Sequence, residues 1–448
     1  MPRSSLFFSL VAAAALATLA GAQVPGRMQV DSYVLPNGLK VHLVEDHSSQ
    51  VVAVDIWYDV GARNERPGRT GFAHVFEHMM FQGSENVKKA EHFQLVERAG
   101  GSLNGSTQAD RTNYYEVLPS NRLNLGLWLE ADRMRSLAVT QANLDNQKEA
   151  VKEERRLRFD NQPYVGIFVD SLSVIYDKGS CFAYAHSLVG SMVDLNAAKV
   201  EDVQAFFKQY YAPNNATLVV VGDFAPAEAK KLITQYFDDI QRVPDPPPVQ
   251  CEQAFNVGAL RRRATDKNAT IPAVMSFYRI PAVSHADYPA LDLLSTILGQ
   301  GESSRLNRAV VREAKAAAAV QAILNPVGPV RGPGLFGSLA IGSQGVPIDS
   351  AEAVLVRQIA KIVAEGVTAE ELTKAKNVHR ANTISGRQRA LNVAEGVQFA
   401  SMFLGGADKV NTDIVRYDAV TVGDVKRVAA TYLRVDNSLT LVIVPEAK

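Results

Sequence analysis

Apolar residues along the 448-residue chain gather into short strand-length runs and longer stretches with helical spacing, and the two kinds alternate irregularly. Leu39 to Glu45 and Val51 to Tyr58 alternate or run apolar and are rich in β-branched residues, which predicts two strands paired with each other. A polar Gly/Arg/Pro-rich loop, Gly61 to Thr70, precedes a helix. Leu103 to Thr107 and Thr112 to Val117 read as a hairpin, and Asn121 to about Phe159 as helix with a break near Thr140. The second half offers strands near Ala273 to Tyr278 and a helix from Tyr288. Gly/Pro-rich turns follow around Asn325 to Gly334, then helices from Asp349 to Glu365 and from Ala369. Strand and helix do not alternate regularly, so the expected fold is α+β, with mostly antiparallel or mixed sheets and helices packed on one face.

The chain also resembles itself. With Tyr210 laid over Tyr432, Val200-Glu201-Asp202-Val203 falls on Val422-Gly423-Asp424-Val425, and Asn215 on Asn437. The run Leu218 to Val221 then falls on Thr440 to Ile443. Each copy reads as a helix, a polar turn and a buried closing strand, which is what duplication of one domain leaves behind. Between the copies, Val243-Pro244-Asp245-Pro246-Pro247-Pro248-Val249 forms a stiff polyproline linker. The expected domains are residues 23–243 and 254–448, joined by a linker at 244–253.

Residues 1–22 read as a signal peptide: Arg3, the apolar run Leu6 to Leu19, and the small-x-small site Ala20-Gly21-Ala22. The run is too short to span a bilayer comfortably. The expectation is an exported chain, periplasmic or otherwise extracytoplasmic, that starts near Gln23 and has no integral membrane segment.

Charge narrows the choice of partners. Lys plus Arg, at 47, equals Asp plus Glu, at 47, so no global field favours nucleic acid or an anionic membrane. The run Arg261-Arg262-Arg263 is a local exception that reads as a solvated strand end or loop. The two cysteines, Cys181 and Cys251, form neither a disulfide framework nor a CxxC motif. An oxidising compartment would permit them to pair, and their spacing leaves that question open.

The chemistry concentrates in His74-Val75-Phe76-Glu77-His78. Two imidazoles four positions apart lie one above the other on a helix, the geometry that lets both bind one metal ion. Glu77 reaches the same face, where its carboxylate can take a proton from a metal-bound water. The order H-x-x-E-H marks the inverzincin arrangement. A catalytic zinc needs a third protein ligand and an open position. The other histidines (His42, His47, His92, His186, His285 and His379) read as structural. Gly299-Gln300-Gly301 reads as a turn rather than a phosphate loop.

HxxEH, followed at a matching distance by Gln147-Lys148-Glu149-Ala150-Val151-Lys152-Glu153-Glu154-Arg155-Arg156, resembles the pitrilysin/insulinase family of zinc metallopeptidases in its half-size form. Gly71-Phe72-Ala73, Gly100-Gly101-Ser102-Leu103-Asn104 and Val189-Gly190-Ser191 extend the likeness over nearly the whole mature chain. The resemblance implies a zinc endopeptidase for short or unfolded peptides, with one zinc per chain. It makes Glu154 the third ligand and Glu77 the general base. Glu153 points about 100° away on a helix, so only one of the two can ligate.

The resemblance further implies that a peptide substrate adds as a strand to the edge Leu103 to Thr107, with Asn104 gripping its backbone. The chain departs from the family in three places, of which Gly105, where Ala is usual, is minor. Gln147 stands two helical turns before Glu154, where members commonly carry a second acid, so the surroundings of the ligands there are neutral. Active members also lend an Arg and a Tyr from the second half to the substrate carbonyl. Arg312 matches the first, but the Tyr position falls on Ala319. That implies a hetero-oligomer in which a second homologous subunit supplies the Arg/Tyr pair. The competing reading is a non-catalytic assembly or peptide-binding subunit, and the four intact site groups argue against it.

Overall fold

The computed structural model describes residues 27–251 and 258–447. The proposed signal peptide lies outside them, as do the last residues of the linker. Among the described residues, eleven strands form two mixed sheets. The first contains β1 (Asp31–Val34), β2 (Lys40–Glu45), β3 (Val51–Tyr58), β4 (Ser102–Thr107), β5 (Thr112–Pro119) and β6 (Ala216–Gly222), in the order β1-β2-β6-β3-β5-β4. The second contains β7 (Leu260–Asp266), β8 (Ala273–Ile280), β9 (Ala317–Leu324), β10 (Gly334–Gly342) and β11 (Ser438–Pro445), in the order β7-β11-β8-β10-β9. The α+β expectation holds. Apart from the extra edge strand β1, the two sheets have the same topology, including one parallel pair each, β2 with β6 and β7 with β11.

The duplication extends to side-chain bonds. The Asn215 amide donates to the Tyr210 carbonyl at 2.8 Å, and the Asn437 amide donates to the Tyr432 carbonyl at 2.8 Å. Each also reaches back to the end of the neighbouring strand, at the carbonyls of Asp59 and Arg279. The polar turn in each copy therefore fastens its helix to its sheet.

One pairing differs from the sequence reading. β2 and β3 are not neighbours, because β6 enters between them, parallel to β2 and antiparallel to β3. All seven residues of β6 are buried. A strand with no polar face is best placed where both edges are paired and both faces covered, which is the centre of a sheet.

Each half's own helices pack on one face of its sheet, and the opposite face is covered by the other half. On the first sheet, Val44, Ala53, Val219 and Val221 meet Val393, Ala394, Val397 and Ala400 of the helix Ala390–Phe403. In return, Leu172 and Ile175 of the helix Val165–Ile175 pack with Tyr176 against Met275, Phe277, Leu439, Leu441 and Ile443 of the second sheet. A disulfide between the buried Cys181 and the half-buried Cys251 fastens this first-half segment to the linker, settling the pairing that spacing left open.

Gln398, fully buried in the crossing helix, donates to the carbonyls of Asp55 at 2.9 Å and Thr217 at 2.8 Å. Gln398→Leu removes both bonds at similar volume and is expected to cost about 1–3 kcal/mol. Urea unfolding should show a lowered midpoint in a single transition, because each half depends on the other's helix. An unchanged midpoint would show that the amide contributes nothing across the interface.

Candidate metal centre

The helix Phe72–Met79 is short and does not stand on propensity alone. Val75, Phe76 and Met79 are buried in the first core, and Phe76 stacks on Phe207 with ring centroids 5.6 Å apart. Its amino end is held by the buried carboxylate of Glu65, which accepts the N–H groups of Gly71 and Ala73, each at 2.8 Å. Such a carboxylate satisfies orphan donors and complements the helix dipole. Gly71 has φ 85°, and a Cβ there would stand 2.7 Å from the Val189 carbonyl oxygen. Only glycine therefore lets the Val189-Gly190-Ser191 segment close against the helix start.

His74 and His78 face the same side, their rings 4.9 Å apart and nearly perpendicular at 86°. The helix Gln141–Arg155, capped by the Thr140 hydroxyl on Asn143, brings Glu154 to meet them. Oε2 of Glu154 lies 3.5 Å from His74 Nε2 and 3.3 Å from His78 Nε2. Ligands 2.0–2.1 Å from a tetrahedral zinc stand about 3.3–3.4 Å from one another, so the donor set fits zinc in type and spacing. Glu77 is the other nearby carboxylate; with His74 and His78 it offers ligand atoms all within 4.8 Å of one another.

Distance alone does not separate the two acids, but their surroundings do. Oε2 of Glu77 accepts the Thr107 hydroxyl at 2.6 Å, whereas the same atom of Glu154 faces both imidazoles directly. Glu153 turns outward and pairs with Arg156 at 2.9 Å.

The electrostatics follow from burial and mutual contact. Burial pulls His74 down to about 4, helped by the neighbouring His78, so the free site presents a neutral imidazole as a ligand must. Burial also pulls on His78, but hydrogen bonding to Glu154 and the charge of Glu77 outweigh it and leave its pKa raised. Glu154 is held below its ordinary value, chiefly by the hydrogen bond with His78. Glu77 is pushed up by burial, against the opposing hydrogen bond from Thr107. Gln147, itself buried, adds a smaller upward pull on His78 from the neutral position noted in the sequence, and its amide donates to Asn146 Oδ1 at 2.7 Å.

Asn104 lies on β4, the outer strand of the first sheet beside the metal helix, and its Oδ1 accepts the Gly105 N–H at 2.9 Å. Arg312 is elsewhere: it lies in the π-helical turn Asn307–Glu313 of the second half, exposed and paired with Glu302. Ala319 is exposed on β9, the outer strand of the second sheet. The structure thus gathers His74, Glu77, His78, Gln147 and Glu154 and brings β4 beside them, but shows no contact from Arg312 to this group.

Three contributors were not read from the sequence. Glu65 caps the metal helix from a loop, with no local spacing rule to reveal it. Thr107 bonds Glu77 across the fold. Arg158 holds the second oxygen of Glu154 at 2.9 Å, and only the Glu-to-Arg i,i+4 spacing pointed to it.

Two family models match the chain, one within its first half and one running across the linker into the second. Residues 40–165 match the model described as Insulinase (Peptidase family M16), and residues 197–378 match Peptidase M16 inactive domain. The zinc protease PqqE of Helicobacter pylori is 30% identical over 420 residues, covering 93% of each chain. A probable mitochondrial-processing peptidase subunit beta of Arabidopsis thaliana is 22% identical over 409 residues, 89% of this chain and 75% of that one. Among solved structures, a protease from Helicobacter pylori superposes with a TM-score of 0.87 at 28% identity, covering 93% of this chain and all (100%) of the other. A peptidase M16 inactive domain from Pseudomonas fluorescens shares the fold, with a TM-score of 0.82 at 18% identity over 94% of this chain and 98% of that one.

The two adjacent glutamates separate cleanly by metal analysis. Glu154→Gln should lose zinc on dialysis, because outer partners of metal ligands already cost about 10–100-fold in affinity and a ligand costs more. Glu153→Gln should keep stoichiometric zinc. The reverse pattern would transfer the ligand role to Glu153.

Proposed function

Because the chain belongs to the insulinase family of zinc proteases (peptidase family M16), we propose that it is an endopeptidase for short or unfolded peptides, with His74, His78 and Glu154 holding one zinc ion. The observation that carries this reading is one oxygen of Glu154 lying within 3.5 Å of both imidazole Nε2 atoms, with the Glu77 carboxylate beside them. When bound, zinc acts as a Lewis acid that polarises a carbonyl and acidifies water.

The remaining work falls to the chain's own side chains. Glu77, half-buried and raised in pKa, takes the proton of the attacking water and later delivers it to the leaving amine. Thr107 fixes the orientation of that carboxylate by donating to one of its oxygens. The outer edge of β4 receives the peptide as an added antiparallel strand, with Asn104 on its backbone. An extended edge site of this kind selects peptides able to leave their own structure. The zinc-binding domain in this reading is 23–243 and the metal-free domain 254–448. The apolar leader and the Cys181–Cys251 disulfide both support an extracytoplasmic compartment.

We further propose that the chain is one subunit of a hetero-oligomer. The matching position after Arg312, on strand β9, is Ala319, which has no hydroxyl to donate to a developing oxyanion. One missing donor of that kind typically costs roughly a hundredfold to a thousandfold in rate. A second exported homologue, lacking HxxEH but carrying the Arg/Tyr pair, would supply it.

Two measurements test these readings. Glu77→Gln should keep zinc yet lower hydrolysis of an unstructured peptide by about 10²–10⁴-fold. An emptied metal site in this variant, with full activity in Glu154→Gln, would reverse the assigned roles. For the partner, the purified chain should be poorly active alone and gain markedly when such a homologue is added. Full activity from a monomer or homodimer, unchanged by any companion chain, would sink the subunit proposal.

A further inference from the structure

Asp110 stands at the tip of the β4–β5 hairpin and is fully buried. A carboxylate withdrawn from water persists only where it is paired and hydrogen-bonded. The groups around Asp110 come from both halves of the chain. Its Oδ1 accepts the Tyr184 hydroxyl at 2.9 Å and lies 3.2 Å from Arg63 Nε. Its Oδ2 accepts the Arg331 N–H at 2.6 Å, from the turn between β9 and β10 in the metal-free half.

That turn is fitted closely over the hairpin tip. The Gly332 N–H donates to the Tyr184 hydroxyl at 3.0 Å, and the Arg331 guanidinium reaches Asp59 at 2.8 Å. Ala109 is buried in one cluster with Val327 and Val330. Gly328 has φ 92°, and a Cβ there would stand 2.9 Å from Cδ of Gln108, so the turn lies directly against the Gln108 side chain.

From the tip the hairpin leads straight to the metal centre. The Gln108 N–H donates to the Arg111 carbonyl at 2.9 Å and closes the turn. Arg111 holds the Ser106 carbonyl at 2.8 Å. Thr107, the last residue of β4, donates its hydroxyl to Glu77. We infer that Asp110 is a positioning residue: by anchoring the hairpin tip to the metal-free half, it sets where Thr107 meets Glu77 and where β4 offers its edge. The metal-free half thereby acts on the reaction without touching the metal. Apolar packing alone would hold the tip without fixing its direction, whereas a carboxylate bonded on both oxygens fixes both. The inference rests on the reading of Glu77 as general base.

The test compares Asp110→Asn and Tyr184→Phe with the parent in the full, zinc-loaded chain. Amide hydrogen exchange is followed in β4, β5, β3 and β6, together with zinc content, kcat and KM on an unstructured peptide. The expected result is faster exchange confined to β4 and β5, with zinc retained. The rate should fall on the order of tenfold to a hundredfold, as displacement of a reacting group by about an ångström does. Unchanged exchange in the hairpin would overturn the inference. So would exchange raised equally in β3 and β6, which is lost stability rather than lost position, or looser β4 and β5 with kcat and KM unmoved. If Asp110→Asn does not fold, Tyr184→Phe decides by the same criteria. Full activity in Glu77→Gln would instead sink the general-base reading and leave the exchange result standing on its own.

Discussion

Strands β3, β6 and β8 are buried along almost their whole length, and a sheet with two apolar faces has to be covered twice. The rest of the architecture follows from how this chain meets that requirement. Each half packs its own helices on one face and receives a helix from the other half on the second. At about 25 cal/mol per Å2 of apolar surface removed from water, leaving either face bare would forfeit a large share of the stability of that half. Two copies of one domain, each unable to close its own core, therefore become a single folding unit.

The candidate metal centre is built within the first half. The helix Phe72–Met79 has only two turns, and it is fixed by three external supports: the buried apolar side chains beneath it, the Glu65 carboxylate at its start, and the close approach of Gly71 to Gly190. The second carboxylate arrives on a helix from far along the chain, capped at Thr140 and extended by a π-helical turn after Arg155. That turn brings Arg158 onto the free oxygen of Glu154, leaving the other oxygen to face the imidazoles. The geometry of the candidate site is thus a tertiary product, even though the two histidines are four residues apart.

Duplication has also separated the roles of the halves. The candidate ligands lie in the first half; in the second, the helix Ala369–Gly386 carries His379, which pairs with Asp413 at 3.1 Å and stacks on Tyr417. The second half instead contributes a covering helix to the first sheet and a turn that clasps the β4–β5 hairpin. Among the described residues both sheets end in an outer strand, β4 and β9, and β4 is the one beside the candidate metal site.

What was legible in the sequence was whatever local spacing encodes. The i,i+4 step set His74 above His78, period-two and all-apolar runs marked most strands, and a repeated helix-turn-strand revealed the duplication. Resemblance to a family then pointed to Glu154, which no local rule could have chosen over Glu153. What spacing could not carry was every relation between distant segments. β6 entering between β2 and β3, the exchange of covering helices, the Cys181–Cys251 bond, and the contacts of Glu65, Thr107 and Asp110 all join residues far apart in the chain. Local patterns are fixed by backbone geometry, which each short segment carries by itself. Those partners were decided only when both apolar faces of each sheet were buried together, a condition that no single stretch of sequence states.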